Sequence, residues 1–169
     1  ANYWNLAYEK IGNCNMVIDA EKSVTCDNDD DRAMLSHVLG EAHYLRATYY
    51  FTLVNLYGKP YAPSTAASTP GVPIKTSANV EDKEYVRASV AEVYDQITAD
   101  LDEAENDLKD VTTPASVYHV GIEAVYVFRS RVELFMQNWQ KAADYAKLAL
   151  DKDSYLQNLV GWKDGYPIS

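Results

Sequence analysis

The chain has 169 residues, of which 47% are hydrophobic, and it carries a formal net charge of −10. This length allows one compact domain whose core forms without a metal or a disulfide. The negative charge would repel nucleic acid and anionic membrane surfaces, so we set both aside as partners. No apolar run approaches the roughly 18 residues of a membrane-spanning helix. Fourteen tyrosines against three phenylalanines favour wet interfaces, because a buried hydroxyl needs a hydrogen-bond partner.

Both ends of the chain lead us to expect a piece of a larger protein. The chain opens with Ala1-Asn2-Tyr3-Trp4 and lacks an initiator methionine and the regions of a signal peptide. Beyond Asp153 the helical pattern ends, and Gly161, Gly165 and Pro167 predict a loop. We expect any export signal or lipid anchor to lie upstream of the first residue.

Two helices are predicted in the first third of the chain. The first covers roughly 2–21, and its apolar face consists of Trp4, Ala7, Ile11, Cys14 and Ile18. An acidic loop, 26–31, follows, and its aspartates can cap the next helix. Gly58 is placed to end that second helix as a left-handed cap, and Pro60 stops it. The predicted apolar face of the second helix consists of Met34 or Leu35, Val38, Ala42, Leu45, Tyr49, Leu53 and Leu56.

A long connection, 58–88, is rich in Pro, Ser, Thr, Ala and Gly and shows no helical period. Loops of this length are uncommon in compact domains, so we interpret the segment as functional or docked on a partner. A mobile linker is the alternative.

Three further helices are predicted after this connection. Ser89 and Glu92 form a capping-box pattern that starts the third helix. A turn ending in Thr113-Pro114 precedes a fourth helix over roughly 116–136, and Asn138 is the expected N-cap of the fifth. The apolar face of the third helix consists of Val90, Tyr94, Ile97, Leu101, Ala104 and Leu108, and the fifth helix carries Trp139, Ala142, Ala146 and Ala149.

These elements predict an all-α fold in a single domain, 1–169. The fourth and fifth helices predict an antiparallel hairpin, and Ala142, Ala149-Leu150 and Asp153 have the spacing of a tetratricopeptide repeat. The second and third helices are expected to form another such pair. The predicted architecture is therefore a tetratricopeptide-like helical repeat, an α/α superhelix, with a long proline-rich loop between helices.

The segment Gly40-Glu41-Ala42-His43-Tyr44-Leu45-Arg46-Ala47 and its continuation to Gly58 resemble the signature helix of the SusD/RagB family. Gly71-Val72-Pro73-Ile74 resembles the family's return after the loop, and Arg87 to Tyr94 its next helix. Arg131 to Ala142 is similar to its last helix pair. Where the family usually packs alanine and leucine before the arginine of the fourth helix, this chain has Arg129 and Ser130, and Glu133 follows. We therefore expect less tight packing there.

The resemblance implies a bacterial outer-membrane lipoprotein at the cell surface, anchored through a segment upstream of this chain. Such proteins capture glycans, and sometimes peptides, and cap a TonB-dependent, SusC-like transporter as a lid. They perform no covalent chemistry and need no cofactor. The family also implies that the helical repeats act mainly as scaffold and transporter-facing surface. The resemblance covers only this helical-repeat part of the family.

A pair of cysteines is a candidate disulfide, and a group of three aspartates is a candidate calcium site. In an exported protein, Cys14 and Cys26 could form a disulfide, with two unpaired buried thiols as the equal alternative. Asp27, Asp29 and Asp31 have the spacing of the first ligands of a calcium loop. Arg32 and Val38 stand where glycine and glutamate are required, however, so we expect a solvated acidic cap.

No shared metal site is expected among the histidines. His37 and His43 are six residues apart, on different helix faces, and His119 is distant in sequence. Glu41 and Arg46 are expected to form a structural ion pair between stacked helices. No sequence motif of a hydrolase or phosphate-binding enzyme occurs, so we expect no enzymatic activity.

Four aromatic residues are the least committed to a helical face and are our candidates for ligand contact: Tyr3, Trp4, Trp162 and Tyr166. Packing at helix ends is the alternative interpretation. Within Tyr49-Tyr50-Phe51, at least one ring must leave the core face, and helix packing is favoured over sugar stacking. The sequence therefore favours a surface glycan-binding protein of the SusD/RagB type. A tetratricopeptide-like adaptor for a protein or peptide partner is the competing hypothesis.

Overall fold

The computed structural model describes residues 2–79, 81–82, 84–111, 116 and 118–154, and the backbone of 162–163 and 166–167. These residues form the helices α1 (Tyr3–Ala20), α2 (Asp29–Tyr57), α3 (Val90–Leu108), α4 (Ile122–Phe135) and α5 (Trp139–Lys152). A short 3-10 helix, Glu21–Ser23, follows α1. The strands β1 (Trp162–Lys163) and β2 (Tyr166–Pro167) pair antiparallel within the predicted terminal loop. The predicted all-α class is confirmed.

The helices pack in chain order. α2 contacts both α1 and α3, α3 contacts α4, and α4 pairs with α5. One core runs through this arrangement, and its largest fully buried side chains include Tyr50, Leu53, Tyr94, Ile97 and Leu101. None of the helices in the described part of the chain is long and apolar enough to cross a membrane.

Side-chain caps start the first three helices. Asn2 Oδ1 accepts from the Trp4 N–H at 3.1 Å and starts α1 one residue later than predicted. Asn28 Oδ1 accepts from the Asp31 N–H at 2.8 Å and caps α2. The aspartates lie in the first turn of α2, where the helix dipole favours negative charge. The predicted capping box of Ser89 and Glu92 is confirmed at α3.

The buried face of α2 differs from the predicted one. Ala42 and Leu53 are buried as expected, but the exposed fractions of Met34 and Leu56 are 68% and 61%. The helix turns Arg46 inward instead, because its guanidinium finds buried partners on α1 and α3. The residues of α2 that are buried are Leu39, Gly40, Ala42, Arg46, Ala47, Tyr50, Leu53 and Val54.

Two glycines of α2 are required by close contacts. Gly58 ends the helix in an extended conformation with φ −102°, so the predicted left-handed cap is wrong. A Cβ there would lie 2.6 Å from the Val54 carbonyl oxygen, which explains the glycine. At Gly40, a Cβ would lie 2.6 Å from Leu108 Cγ. The absence of a side chain at Gly40 therefore lets α3 approach α2 closely.

Helix α4 starts at Ile122, and the predicted start at 116 is wrong. The His119 N–H donates to the Ser116 carbonyl in a turn, and the Val120 N–H donates to Glu41 of α2 at 2.7 Å. These contacts keep the backbone out of the helix until Gly121. The predicted turn at Thr113-Pro114 lies outside the described residues.

The α4–α5 hairpin is tight and contains an uncommon backbone conformation. Gln137 has a φ of 65°, in the left-handed region. Asn138 holds the predicted N-cap position of α5, but its side chain donates to Glu133 Oε2 at 2.7 Å instead of capping. Ser130 Oγ donates to the Ala142 carbonyl at 2.8 Å and joins the two helices.

The polar residues of α4 fit into the packed structure. Arg129 is buried, donates to Asp102 and to Glu105 of α3, and lies 4.6 Å from the centroid of the Tyr145 ring. Glu133 is also buried and accepts from Asn138. The expectation of looser packing at this point is therefore wrong, because Arg129 finds acidic partners on α3 and Glu133 finds an amide partner at the start of α5.

Candidate ligand-binding site

An aromatic groove lies between α1 and the segment that connects α2 to α3. Trp4 and Tyr8 line it from α1, and Pro73, Lys75 and Tyr85 line it from the connecting segment. Its volume is about 320 Å³. We call these five residues the aromatic groove.

The rings of the groove are held by contacts with one another. The Trp4 centroid lies 5.0 Å from that of Tyr8 and 5.0 Å from that of Tyr57, which meets it edge-on at 87°. The Arg87 guanidinium lies over the Trp4 ring, 5.7 Å from its centroid. Arg87 itself donates to the carbonyls of Tyr57 and Gly71. The position of the Trp4 ring is therefore set before any ligand arrives.

The far wall of the groove combines a ring with charged groups. Lys75 Nζ lies 5.9 Å from the Tyr85 ring centroid, and the Tyr85 hydroxyl donates to Glu81. The ammonium group thus lies beside an aromatic surface. Such a combination of ring faces and few polar groups is typical of sites that bind small organic ligands.

Tyrosine hydroxyls fix the connecting segment to the helices. Tyr8 Oη donates to the Pro73 carbonyl at 2.7 Å, and Tyr50 Oη donates to the Lys75 carbonyl at 2.8 Å. The Lys75 N–H donates back to the Tyr50 hydroxyl at 2.8 Å. Asn15 Nδ2 also donates to the Lys75 carbonyl, at 2.9 Å. The segment packs on the protein's own helices, with Val72 fully buried.

A buried ion pair lies behind the groove. Arg46 donates from Nη2 and Nε to the two oxygens of Asp100 at 2.6 and 3.0 Å, and from Nη1 to Asn15 at 2.8 Å. Burial would raise the pKa of Asp100, but hydrogen bonds from His43 and Arg46 hold it below its usual value. The predicted pairing of Arg46 with Glu41 is wrong, because Asp100 on α3 is its partner.

The side chains of two of the four candidate aromatics, Tyr3 and Trp4, are described by the structure. Trp4 lies in the groove, whereas Tyr3 is next to it in sequence, 37% exposed and not among the lining residues. The side chains of Trp162 and Tyr166 lie outside the described residues. Tyr8, Lys75 and Tyr85 were not proposed from the sequence. The rings of the Tyr49-Tyr50-Phe51 run serve packing, with Tyr50 fully buried and Phe51 against Phe128 and Phe135.

The cysteines, aspartates and histidines singled out in the sequence lie outside the aromatic groove. Cys14 is buried in α1 and Cys26 lines a shallow cavity beyond it, and both are free thiols, so the disulfide is not formed in the structure. Asp31 lies in the first turn of α2, where its side chain accepts hydrogen bonds from the Asn28 side chain and from the Asp27 N–H. His43 faces Asp100. His37 and His119, by contrast, come together around Glu41, which their distance in sequence did not suggest.

Comparison with known proteins assigns the family. The SusD-like family described as "Starch-binding associating with outer membrane" matches residues 1–134. This match covers most of the chain, and the chain belongs to the SusD-like family. The resemblance found in the Gly40–Gly58 segment is thereby confirmed.

Several relatives share this sequence and fold. SusD-like protein P38 of Formosa agariphila is 26% identical over 95% of this chain and 29% of its own length. A SusD superfamily protein of Bacteroides thetaiotaomicron is 30% identical, with a TM-score of 0.79 over 92% of this chain and 33% of its own. A putative sugar binding protein of Bacteroides vulgatus is 26% identical, with a TM-score of 0.81 over 90% and 33%. The chain spans about a third or less of these relatives.

Proposed function

We propose that the chain is part of a non-catalytic cell-surface protein that binds glycans or other nutrient oligomers. The observation that carries this proposal is the aromatic groove, in which Trp4 and Tyr85 offer rings and Lys75 offers a hydrogen-bond donor. A sugar ring presents apolar C–H faces and polar edges, so both kinds of contact can be used at once. A relative whose structure is described as a sugar binding protein supports this choice of ligand.

Two tryptophans, one in the groove and one outside it, allow a direct test of this proposal. We expect native affinity electrophoresis of the whole gene product on a polysaccharide panel to show retardation by at least one glycan. Trp4→Ala should weaken that retardation about tenfold or more, the effect of losing roughly 1.4 kcal/mol of contact. Trp139→Ala is the control, because Trp139 is 63% exposed at the start of α5 and is not a groove residue. Equal retardation of both variants would contradict the assignment of the groove.

The lack of covalent chemistry is part of the proposal. None of the five groove residues is a carboxylate, serine, cysteine or histidine, the side chains that usually act in glycan hydrolysis or acyl transfer. We expect long incubation of a bound glycan with the protein to release no new reducing ends. New reducing ends that increase in proportion to the protein added would show instead that the protein is a hydrolase.

We further propose that bound glycan is delivered to a SusC-like, TonB-dependent outer membrane transporter. Membership of a family described as associating with the outer membrane supports this location, and a lipid anchor upstream of the chain would hold the protein at the cell surface. Co-purification from detergent-solubilised outer membranes should recover a transporter of this class. Recovery of the protein from the cytosolic fraction alone would contradict both location and partner.

A second candidate function rests on the α4–α5 hairpin. A cavity of about 450 Å³ lies on it, lined in part by Val127, Ala146, Ala149 and Leu150. Val127 and Leu150 are 53% and 58% exposed, so a tetratricopeptide-like adaptor could bind a peptide helix there. Val127→Asp would then abolish capture of a peptide partner and leave glycan retardation unchanged, whereas Trp4→Ala would do the reverse.

A further inference from the structure

Three side chains with metal-binding atoms join α2 to the turn before α4. His37 and Glu41 are four residues apart on α2 and therefore share one helix face. His119 comes from the turn that lies against this face. One potential ligand atom of each residue lies within 4.8 Å of the others. Separation in sequence conceals this cluster, because His119 lies 78 positions after Glu41.

One nitrogen of the cluster is buried without a partner. His37 Nε2 has no hydrogen bond among the described residues, and it lies 3.8 Å from Glu41 Oε1, too far for one. The His37 and His119 ring centroids are 5.5 Å apart. Native proteins rarely leave a buried nitrogen unsatisfied, so such an atom points to an additional bound group.

The donor set and its surroundings suit a zinc ion. Two imidazole nitrogens and one carboxylate oxygen are one of the ligand sets of three-residue zinc sites, which keep a fourth position for water. The His37 and Glu41 side chains are 17% and 21% exposed, whereas His119 is 44% exposed. His37 and Glu41 are thus largely shielded by the fold, whereas His119 is reachable from solvent. Bond lengths of about 2.0–2.2 Å require the side chains to close by roughly 1–1.5 Å, which rotation of the exposed His119 can supply.

The carboxylate is already oriented by the backbone. The Val120 N–H donates to Glu41 Oε1 at 2.7 Å, and His119 Nδ1 lies 3.0 Å from the same oxygen. The Val120 N–H is an outer partner of the kind that holds the ligands of established metal sites in position. We propose that His37, Glu41 and His119 form a zinc site that fastens the segment before α4 to α2.

The three histidines of the chain make the test specific. Untagged protein labelled with ¹⁵N-histidine is stripped with EDTA and titrated with Zn²⁺ in an NMR experiment that reports the ring nitrogens. One equivalent of Zn²⁺ should shift the ring signals of His37 and His119 and leave those of His43, which faces Asp100. Equal changes at all three histidines, or none at one equivalent, would overturn the proposal.

Substitutions in the same turn provide the second measurement. His119→Gln should lower the Zn²⁺ affinity at least about 100-fold, since even outer partners of metal ligands contribute 10–100-fold. Tyr118→Ala, at a neighbouring side chain that is 93% exposed, should leave the affinity unchanged. Ca²⁺ is the control for general attraction to a chain of net charge −10, and it should not shift the histidine signals. Zinc binding that survives His119→Gln would refute the site.

Discussion

At the scale of single residues, Asp100 holds three helices together. It is nearly inaccessible, it accepts two hydrogen bonds from Arg46 of α2, and Arg46 in turn reaches Asn15 of α1. Gln96 donates to it from the preceding turn of α3 at 3.1 Å. Removing one member of such a pair leaves the other charge buried and unpaired, which typically costs about 3–5 kcal/mol.

Asp100 also makes the stability of the protein depend on pH. Its pKa is held below its ordinary value, so its contribution is complete above the unfolded pKa of about 3.9. That contribution is lost as the pH falls through the lower folded pKa. We expect urea unfolding between pH 7 and pH 3 to show a loss of stability toward the acid end. Asp100→Asn should be about 3 kcal/mol less stable at pH 7 and show a weaker decline. Parallel pH profiles would assign the acid sensitivity to other carboxylates.

The sequence identified the buried arginine but not its partner. Arg46 belongs to the Gly40–Gly58 segment from which the family resemblance came, and we expected it to form an ion pair. The prediction paired Arg46 with Glu41 on the same helix, whereas its true partner, Asp100, is 54 residues away in sequence. A local pattern can show that a charge needs a partner, but the packing of α3 on α2 decides which one.

At the scale of the elements, the junction of α4 and α5 contains a removable strain. Gln137 adopts a φ of 65°, a conformation that costs a residue with a Cβ about 1–2 kcal/mol. Gln137→Gly should therefore raise the free energy of unfolding by roughly 0.5–1 kcal/mol, after the greater chain entropy of glycine is subtracted. Chemical denaturation followed by circular dichroism would measure this gain.

The control for this change keeps the Cβ. Gln137→Ala removes the weak 3.5 Å contact of the side chain with the Tyr61 carbonyl but not the strain, so we expect no gain in stability. If the alanine and glycine variants were equally stable, the left-handed conformation would not be the cause.

Helix boundaries were predictable where local chemistry sets them. The start of α3 follows from the Ser89–Glu92 capping box, which satisfies its own backbone amides. The start of α4 was predicted six residues too early, because Glu41 of another helix holds the Val120 amide. The apolar face of α2 was misplaced for a related reason, since the packing of α2 against both α1 and α3 decides which residues are buried.

At the scale of the whole molecule, the connection between α2 and α3 depends on Tyr50. Its hydroxyl both donates to and accepts from Lys75, which lines the aromatic groove. Tyr50→Phe should destabilise the protein by about 1–3 kcal/mol, because the Lys75 N–H loses its partner and the Lys75 carbonyl keeps only Asn15. Faster amide hydrogen exchange at Lys75 would place the effect in the connecting segment.

The same substitution at an exposed tyrosine is the control. Tyr118 is 93% exposed, and Tyr118→Phe should change neither the stability nor exchange at Lys75. Unchanged exchange at Lys75 in the Tyr50 variant would mean that other contacts hold the segment.

The groove could be predicted only in part. Trp4 was identified because it lies at the end of a helical pattern, and its ring indeed lines the groove. Lys75 and Tyr85 come from a segment without periodicity, which gives no signal of the direction of a side chain. Their proximity to α1 results from hydrogen bonds over long sequence separations, such as that of Tyr8 with Pro73.

The burial of the core tyrosines also sets an alkaline limit on the fold. Burial raises the pKa of Tyr8, Tyr50 and Tyr94 above their ordinary value near 10. The folded state therefore keeps these groups neutral after the unfolded chain ionises, and their contribution to stability is lost as the pH rises above about 10. Ultraviolet titration should show exposed tyrosines ionising first, and the buried ones only as the helices melt. A single smooth titration of all tyrosines in a still helical chain would contradict this. The abundance of tyrosine over phenylalanine thus limits the pH range in which the native state is stable at its alkaline end, as Asp100 limits that range at its acidic end.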